Sequence, residues 1–212
     1  MTNDEHQQTD QQPDTEESAA PLEIDLDNDN DNGMLDLETL GTSPYSPILT
    51  IGACAFRLDN DVPIRDVFYC AVTLESCLNL GMIPEAKTIR WWMTDPDIDP
   101  AAREAAFNDP NAVTINSALV QFSNWIEEHK DINLWGNGAK FDLGLLEAAY
   151  KVCKLHIPWH FRGESCYRTI KKLPMARTIK LERVGTLHNA LDDALSQAYH
   201  LRAINRQMGL NL

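Results

Sequence analysis

Basic residues are missing from the first 33 positions, which hold 11 Asp and Glu and no Lys or Arg. Large apolar residues are scarce there too, and such a segment cannot bury enough surface to offset its ordering entropy. Residues 1–33 are therefore expected to form a disordered acidic tail, with one folded domain over 34–212. No C-x-x-C pair occurs among the five cysteines (Cys54, Cys70, Cys77, Cys153, Cys166), which excludes a disulfide framework and a cysteine zinc site. A basic start followed by an apolar stretch is absent as well, so no signal peptide is expected. The longest near-apolar run, Ile48 to Phe56, is far too short to cross a bilayer. These absences together point to a soluble chain in a reducing, cytoplasmic compartment with no membrane partner.

The net charge of −14 opposes contact with a polyanion, but the excess sits in the tail. Residues 34–212 carry 21 acidic against 18 basic side chains, a balance of −3 that two bound divalent cations would neutralise. The tail ends in a decoy. Asp27, Asp29, Asp31 and Glu38 occupy positions 1, 3, 5 and 12 of a calcium-hand loop. Asn32 stands at its glycine position and no amphipathic helix flanks it, so plain Asp/Asn low complexity is the better account.

From Met34 the pattern becomes β-rich. Strands are expected at 34–38, 47–58 and 66–73, as an antiparallel meander. Helical segments follow at 88–93 and 101–107, interrupted by Pro96 and Pro100. Thr114 to Lys130 repeats Ile115, Leu119, Phe122 and Ile126 at helical spacing, and 133–136 is a short strand ending in a turn. Helices over 141–153 and 189–208 complete an α/β domain with a mixed β-sheet flanked by helices.

Three constellations carry chemistry. In Asp36-Leu37-Glu38-Thr39-Leu40-Gly41, alternation puts both carboxylates on one face of a strand and Leu35 and Leu37 on the other. Two adjacent like charges are costly unless a cation lies between them, and hard oxygen ligands suit Mg²⁺ or Mn²⁺. Two solvated edge acids would look the same. In Asn137-Gly138-Ala139-Lys140-Phe141-Asp142, an acid opens a helix, where it also interacts favourably with the helix dipole. In His188-Asn189-Ala190-Leu191-Asp192-Asp193-Ala194, His188 precedes a helix and Asp193 lies one turn in. Ala190, Ala194 and Ala198 there imply close packing, and a partly buried Asp193 would need a partner.

The series D-x-E-T-x-G, N-x-x-x-F-D and H-x-x-x-x-D resembles the three exonuclease motifs of the DEDDh group of DnaQ-like nucleases. A nearer resemblance is to small phage and bacterial 3′–5′ exonucleases sharing D-L-E-T-L-G, T-I-x-W-W, W-G-N-G-x-x-F-D and H-N-A-L-D-D-A. Here these fall at Asp36 to Gly41, Thr88 to Trp92, Trp135 to Asp142 and His188 to Ala194, and the likeness spans 34–208. It implies an RNase H-like fold and 3′–5′ removal of nucleoside 5′-monophosphates by a two-metal mechanism. Asp36, Glu38 and Asp193 would hold one Mg²⁺ or Mn²⁺, and Asp36 with Asp142 the second, with the ions about 3.5–4 Å apart. His188 would be the general base. Asp192 is one position early for the motif, which selects Asp193.

The partner implied is a nucleic-acid 3′ end, with single-stranded DNA placed ahead of RNA. Contacts to it are expected from Thr39, Leu40 (as a wedge on the terminal base), Gly41, Asn137, Phe141 (as a stacking platform) and Trp92. Adjacent Trp91 and Trp92 diverge by about 100° on a helix, so at most one faces a groove. Seven basic residues (Arg162, Arg168, Lys171, Lys172, Arg177, Lys180, Arg183) against Glu164 and Glu182 make a candidate phosphate-binding segment or a solvated loop. The polar stretch Asn28 to Gly33 ahead of Met34 implies a first strand that is short, or polar and weakly paired in its first half. The rival accounts are an exoribonuclease, a non-catalytic binding module on the same fold, and a calcium-binding protein.

Overall fold

The computed structural model describes residues 32–59, 61, 63–64, 66–129, 131–210 and 212. The expected tail and its calcium-loop aspartates (Asp27, Asp29, Asp31) lie outside the described residues, apart from Asn32 and Gly33. Five strands form one mixed sheet: β1 (Asn32–Thr39), β2 (Ile48–Phe56), β3 (Val67–Ala71), β4 (Asn133–Gly136) and β5 (Glu164–Cys166), in the order β3-β2-β1-β4-β5. β1 pairs antiparallel with β2 and parallel with β4, and β5 continues parallel to β4. The antiparallel meander and the mixed α/β architecture are therefore as expected.

The first strand differs from expectation. It begins at Asn32, two residues earlier, and is paired on both sides from its first residue, to Phe56 and to Asn133. Asn32 is buried, and its Oδ1 accepts a hydrogen bond of 2.9 Å from Trp135 Nε1. A polar residue fits a central strand here because a neighbouring indole satisfies it.

Alternation along β1 sorts its side chains between two layers. Leu35 and Leu37 face one core, filled by helix α4 (Ile115–Glu128) and helix α5 (Ala139–Cys153). Met34 faces the other with Cys54, Phe56 and Trp135, beneath helix α7 (Ala190–Met208). The amphipathic stripe of α4 is buried at Ile115, Leu119, Phe122 and Ile126, and Thr114 caps it by accepting from Ser117 N. α7 presents Ala194, Ala198 and Leu201 to the sheet, all fully buried. Its approach depends on Gly52, opposite Asp36: a Cβ there would stand 2.2 Å from the Ala190 carbonyl carbon.

A smaller cluster closes the sheet's end. Helices α2 (Ala86–Thr94) and α3 (Pro100–Phe107) pack Trp92, Ala102 and Ala106, with Ile98 from the turn between them, on Leu40 and Leu49. Pro100 opens α3, where its missing N–H costs nothing, and Asp99 caps that helix. Helix α1 (Leu74–Asn79), β5 and the single turn α6 (Tyr167–Ile170) had no counterpart among the expected elements. All five cysteines are free, and no helix among the described residues is long and apolar enough to cross a membrane.

Candidate active site

Asp36 and Glu38 sit on the α7 side of β1, two residues apart, as alternation requires. β4 ends at Gly136, and Asn137-Gly138 turns the chain into α5 with Gly138 at φ +117°, so Asp142 falls in the first turn of the helix. A Cβ on Gly136 would lie 2.9 Å from Asp142 Oδ2, so the bare glycine makes room for the carboxylate. Asn189 caps α7, accepting from Leu191 N and Asp192 N, which frees His188 from that task. His188 adopts a left-handed φ of +63°, uncommon without glycine. Asp193, one turn in, is buried and accepts His188 N–H at Oδ2 (3.1 Å) and the Arg183 guanidinium at Oδ1.

One cleft of about 520 Å³ is lined by Asp36, Glu38, His188 and Asp193, with Thr39, Gly41, Asn137 and Phe141 on its walls. Ligand atoms of Glu38, His188 and Asp193 all lie within 4.8 Å of one another. Burial makes negative charge expensive on Glu38, Asp142 and Asp36. Glu38 is pushed up to about 8 by burial and by the Asp193 and Asp142 charges. Burial raises Asp142 to about 7, against the opposing pull of the Arg168 guanidinium. Asp36 lies well above its ordinary value for the same reasons, burial first and then Asp142, Glu38 and Asp193, although Gln197 Nε2 donates to its Oδ1 at 2.8 Å.

Asp142 Oδ2, Asn137 Oδ1 and Gln197 Oε1 are buried acceptors without a hydrogen-bond partner in the structure. Clustered carboxylates that resist ionisation, beside orphaned acceptors and one imidazole, fit a hard divalent cation.

The family model of the 3′-5′ exoribonuclease Rv2179c-like domain matches residues 31–205. The chain belongs to this family. No curated protein matches it by sequence. Among solved structures, it is similar to the nuclease domain of 3′hExo, a DEDDh family member bound to rAMP. That likeness has TM-score 0.58 and 16% identity, over 87% of this chain and 96% of that one. It is also similar to cell-death related nuclease 4 (CRN-4), with TM-score 0.56, 17% identity, and 85% and 64% of the two chains covered. A third likeness is to E. coli exonuclease I in complex with a 5cy-dT13 oligonucleotide (TM-score 0.50, 12% identity, 84% and 40% covered). The chain thus spans under two thirds of two of these relatives, and at such identities the likeness establishes a shared RNase H-like fold. Family and fold agree: the matched family model describes a 3′-5′ exoribonuclease domain, and the nuclease domain of 3′hExo shares this fold.

Within this exoribonuclease-family domain, two expected substrate contacts are corrected. Trp92 is fully buried, donating from Nε1 to Thr39 O at 3.0 Å, and Leu40 is 2% exposed beside it. Both are core residues because α2 and α3 close over them, so neither can stack on or wedge against a base in this conformation. Trp91 takes the cleft wall instead, its ring edge-to-face with His188 at 4.9 Å. Thr39 and Gly41 line the cleft but also hold the turn, Thr39 Oγ1 donating to Gly41 O at 2.7 Å. Asp192 is absent from the cleft lining and accepts from Thr186 N at 2.7 Å.

The basic segment divides. Lys171 and Arg183 reach the cleft, and Arg168 donates to Asn137 O beside Asp142. Sequence reasoning missed Gln197 and Glu85, and of the tryptophan pair it chose Trp92 where Trp91 lines the cleft. Gln197 lies four residues after Asp193 on α7, so helical spacing was a usable signal. Glu85 accepts from Thr42 N and Ser43 N, both at 3.0 Å, across 42 or more residues, and no local pattern could reveal that.

Proposed function

We propose that this domain hydrolyses single-stranded nucleic acid from its 3′ end, releasing nucleoside 5′-monophosphates, and that RNA is its substrate. The observation that supports it most is the convergence of Asp36, Glu38, His188 and Asp193 in one cleft, with Asp142 buried alongside. The family's description as an exoribonuclease favours RNA over the DNA expected from the motifs.

Asp36, Glu38 and Asp193 would hold one Mg²⁺ or Mn²⁺, and Asp36 with Asp142 a second. When bound, such ions supply Lewis-acid polarisation of the scissile phosphate and neutralise the charge that develops on it. The chain's own groups do the rest. His188, at the cleft and held by Trp91, accepts the proton of the attacking water. Asn137 and Phe141 contact the terminal nucleotide, and the Thr39–Gly41 turn seats its sugar. Lys171, whose ammonium lies 4.9 Å over the Tyr167 ring, meets the phosphates.

The test is degradation of matched 5′-labelled single-stranded RNA and DNA with Mg²⁺, Mn²⁺ or EDTA, beside Asp193→Asn. RNA shortening stepwise from the 3′ end, dependent on metal and lost in the variant, is expected. Faster shortening of DNA would reverse the substrate assignment. Cleavage of neither by the folded protein would leave a binding module.

A further inference from the structure

Asp193 already has a cationic partner. Arg183 donates to its Oδ1, while Oδ2 receives the His188 N–H. The same carboxylate belongs to the cluster with Glu38 and His188 that suits a metal. A guanidinium and a divalent cation would therefore compete for one carboxylate.

The backbone that carries Arg183 is fixed, although residues 179–189 contain no helix or strand. Val184 N donates to Ser196 Oγ at 2.9 Å, and Ser196 Oγ donates on to Asp192 O at 2.7 Å. Thr186 N is held by Asp192 Oδ2 at 2.7 Å. Gly185 makes the bend between these ties at φ +61°, and a Cβ there would meet the Asp192 carboxyl carbon at 2.2 Å. The segment is clamped to α7 on both sides of Gly185, and the free element is the Arg183 side chain, 36% exposed and lining the cleft. A long, half-exposed guanidinium on a fixed base can reach more than one acceptor, and its planar fork suits a phosphate as well as a carboxylate.

We propose that Arg183 is a two-position residue, which gives up Asp193 to an incoming divalent cation and then takes a substrate phosphate in the same cleft. Metal loading and substrate phosphate binding are thereby coupled through one side chain. This rests on the nuclease reading of the site.

Calorimetric titration of the full chain with Mn²⁺ alone tests the first half without turnover. Arg183→Gln is expected to bind Mn²⁺ about fivefold more tightly than wild type, the upper range for a half-exposed ion pair. Lys171→Gln, which removes a charge from the same cleft without touching Asp193, is expected to change it far less. Equal gains in both variants would mean a general field effect and overturn the proposal. Unchanged or weaker Mn²⁺ binding in Arg183→Gln would overturn it too.

The second half is read by adenosine 5′-monophosphate binding at saturating Mn²⁺, expected to weaken severalfold in Arg183→Gln and to be partly restored in Arg183→Lys. Wild-type nucleotide affinity in Arg183→Gln would overturn it. Asp193→Asn separates the two levels: Mn²⁺ binding unaffected there would sink the metal-site reading itself, and the competition with it.

Discussion

Glu38 and Asp142 hold protons in the folded protein at pH values where an unfolded carboxylate has lost them, because burial lifts them to about 8 and about 7. The folded state therefore binds more protons than the unfolded one, and stability from these groups is complete only below the ordinary carboxylate range. It is lost as pH rises through 7 and 8. In EDTA, the melting temperature is expected to fall between about pH 5 and about pH 8.5, and Mn²⁺ should restore it at the alkaline end. Glu38→Gln should flatten that dependence and raise the melting temperature near pH 8 by several degrees. A melting temperature that rises with pH in EDTA would contradict the assigned direction.

The adjacent tryptophans separate at the same scale. Trp92→Ala removes a fully buried indole and its bond to Thr39 O, and should cost about 3–5 kcal/mol in denaturant unfolding. Trp91→Ala should leave stability within about 1 kcal/mol and lower kcat more than it raises KM, since the ring packs on His188. Trp91→Phe should recover much of the loss.

Among the elements, α7 carries His188 at its approach and Asp193 and Gln197 on its first turns, and it reaches β1 only because Gly52 leaves its Cα bare. Gly52→Ala is expected to push the helix start outward, lowering both the melting temperature and Mn²⁺ affinity. Unchanged Mn²⁺ affinity in a folded Gly52→Ala would show that this close approach does not set the site. The elements that bear the motifs were legible because their signals are local: period-two alternation placed Asp36 and Glu38 on one face, and the small alanines of α7 announced close packing. Leu40 and Trp92 were misassigned for the opposite reason. Their burial comes from α2 and α3 folding over the end of the sheet, a tertiary event that leaves no periodic trace. β5 and α6 are three and four residues long, too short for a pattern, yet they bring Arg168 and Lys171 to the site. Asn32 was read as tail because its composition is polar, and only the Trp135 indole across the sheet explains its place in β1.

For the whole molecule, the charge is divided between a segment with 11 acidic residues and a domain near −3. If the cleft takes nucleic acid as proposed, an acidic segment on the same chain would compete with that polyanion at low salt and be screened at high salt. Removal of residues 1–31, stopping short of Asn32 to keep β1 intact, is expected to raise the cleavage rate at low ionic strength and to matter little at high ionic strength. No gain at low salt would count against such screening.

The most direct test is the rate of stepwise nucleotide release from a 5′-labelled single strand as Mg²⁺ is raised, for wild type, Glu38→Gln and Asp142→Asn. If these carboxylates form the hydrolytic centre, wild type gives a Mg²⁺-dependent ladder receding from the 3′ end. Each folded variant then loses about 10²-fold or more of the rate, on the scale of removing one electrostatic catalytic group. A ladder that persists at wild-type rate in either variant, or recedes from the 5′ end, would contradict that assignment.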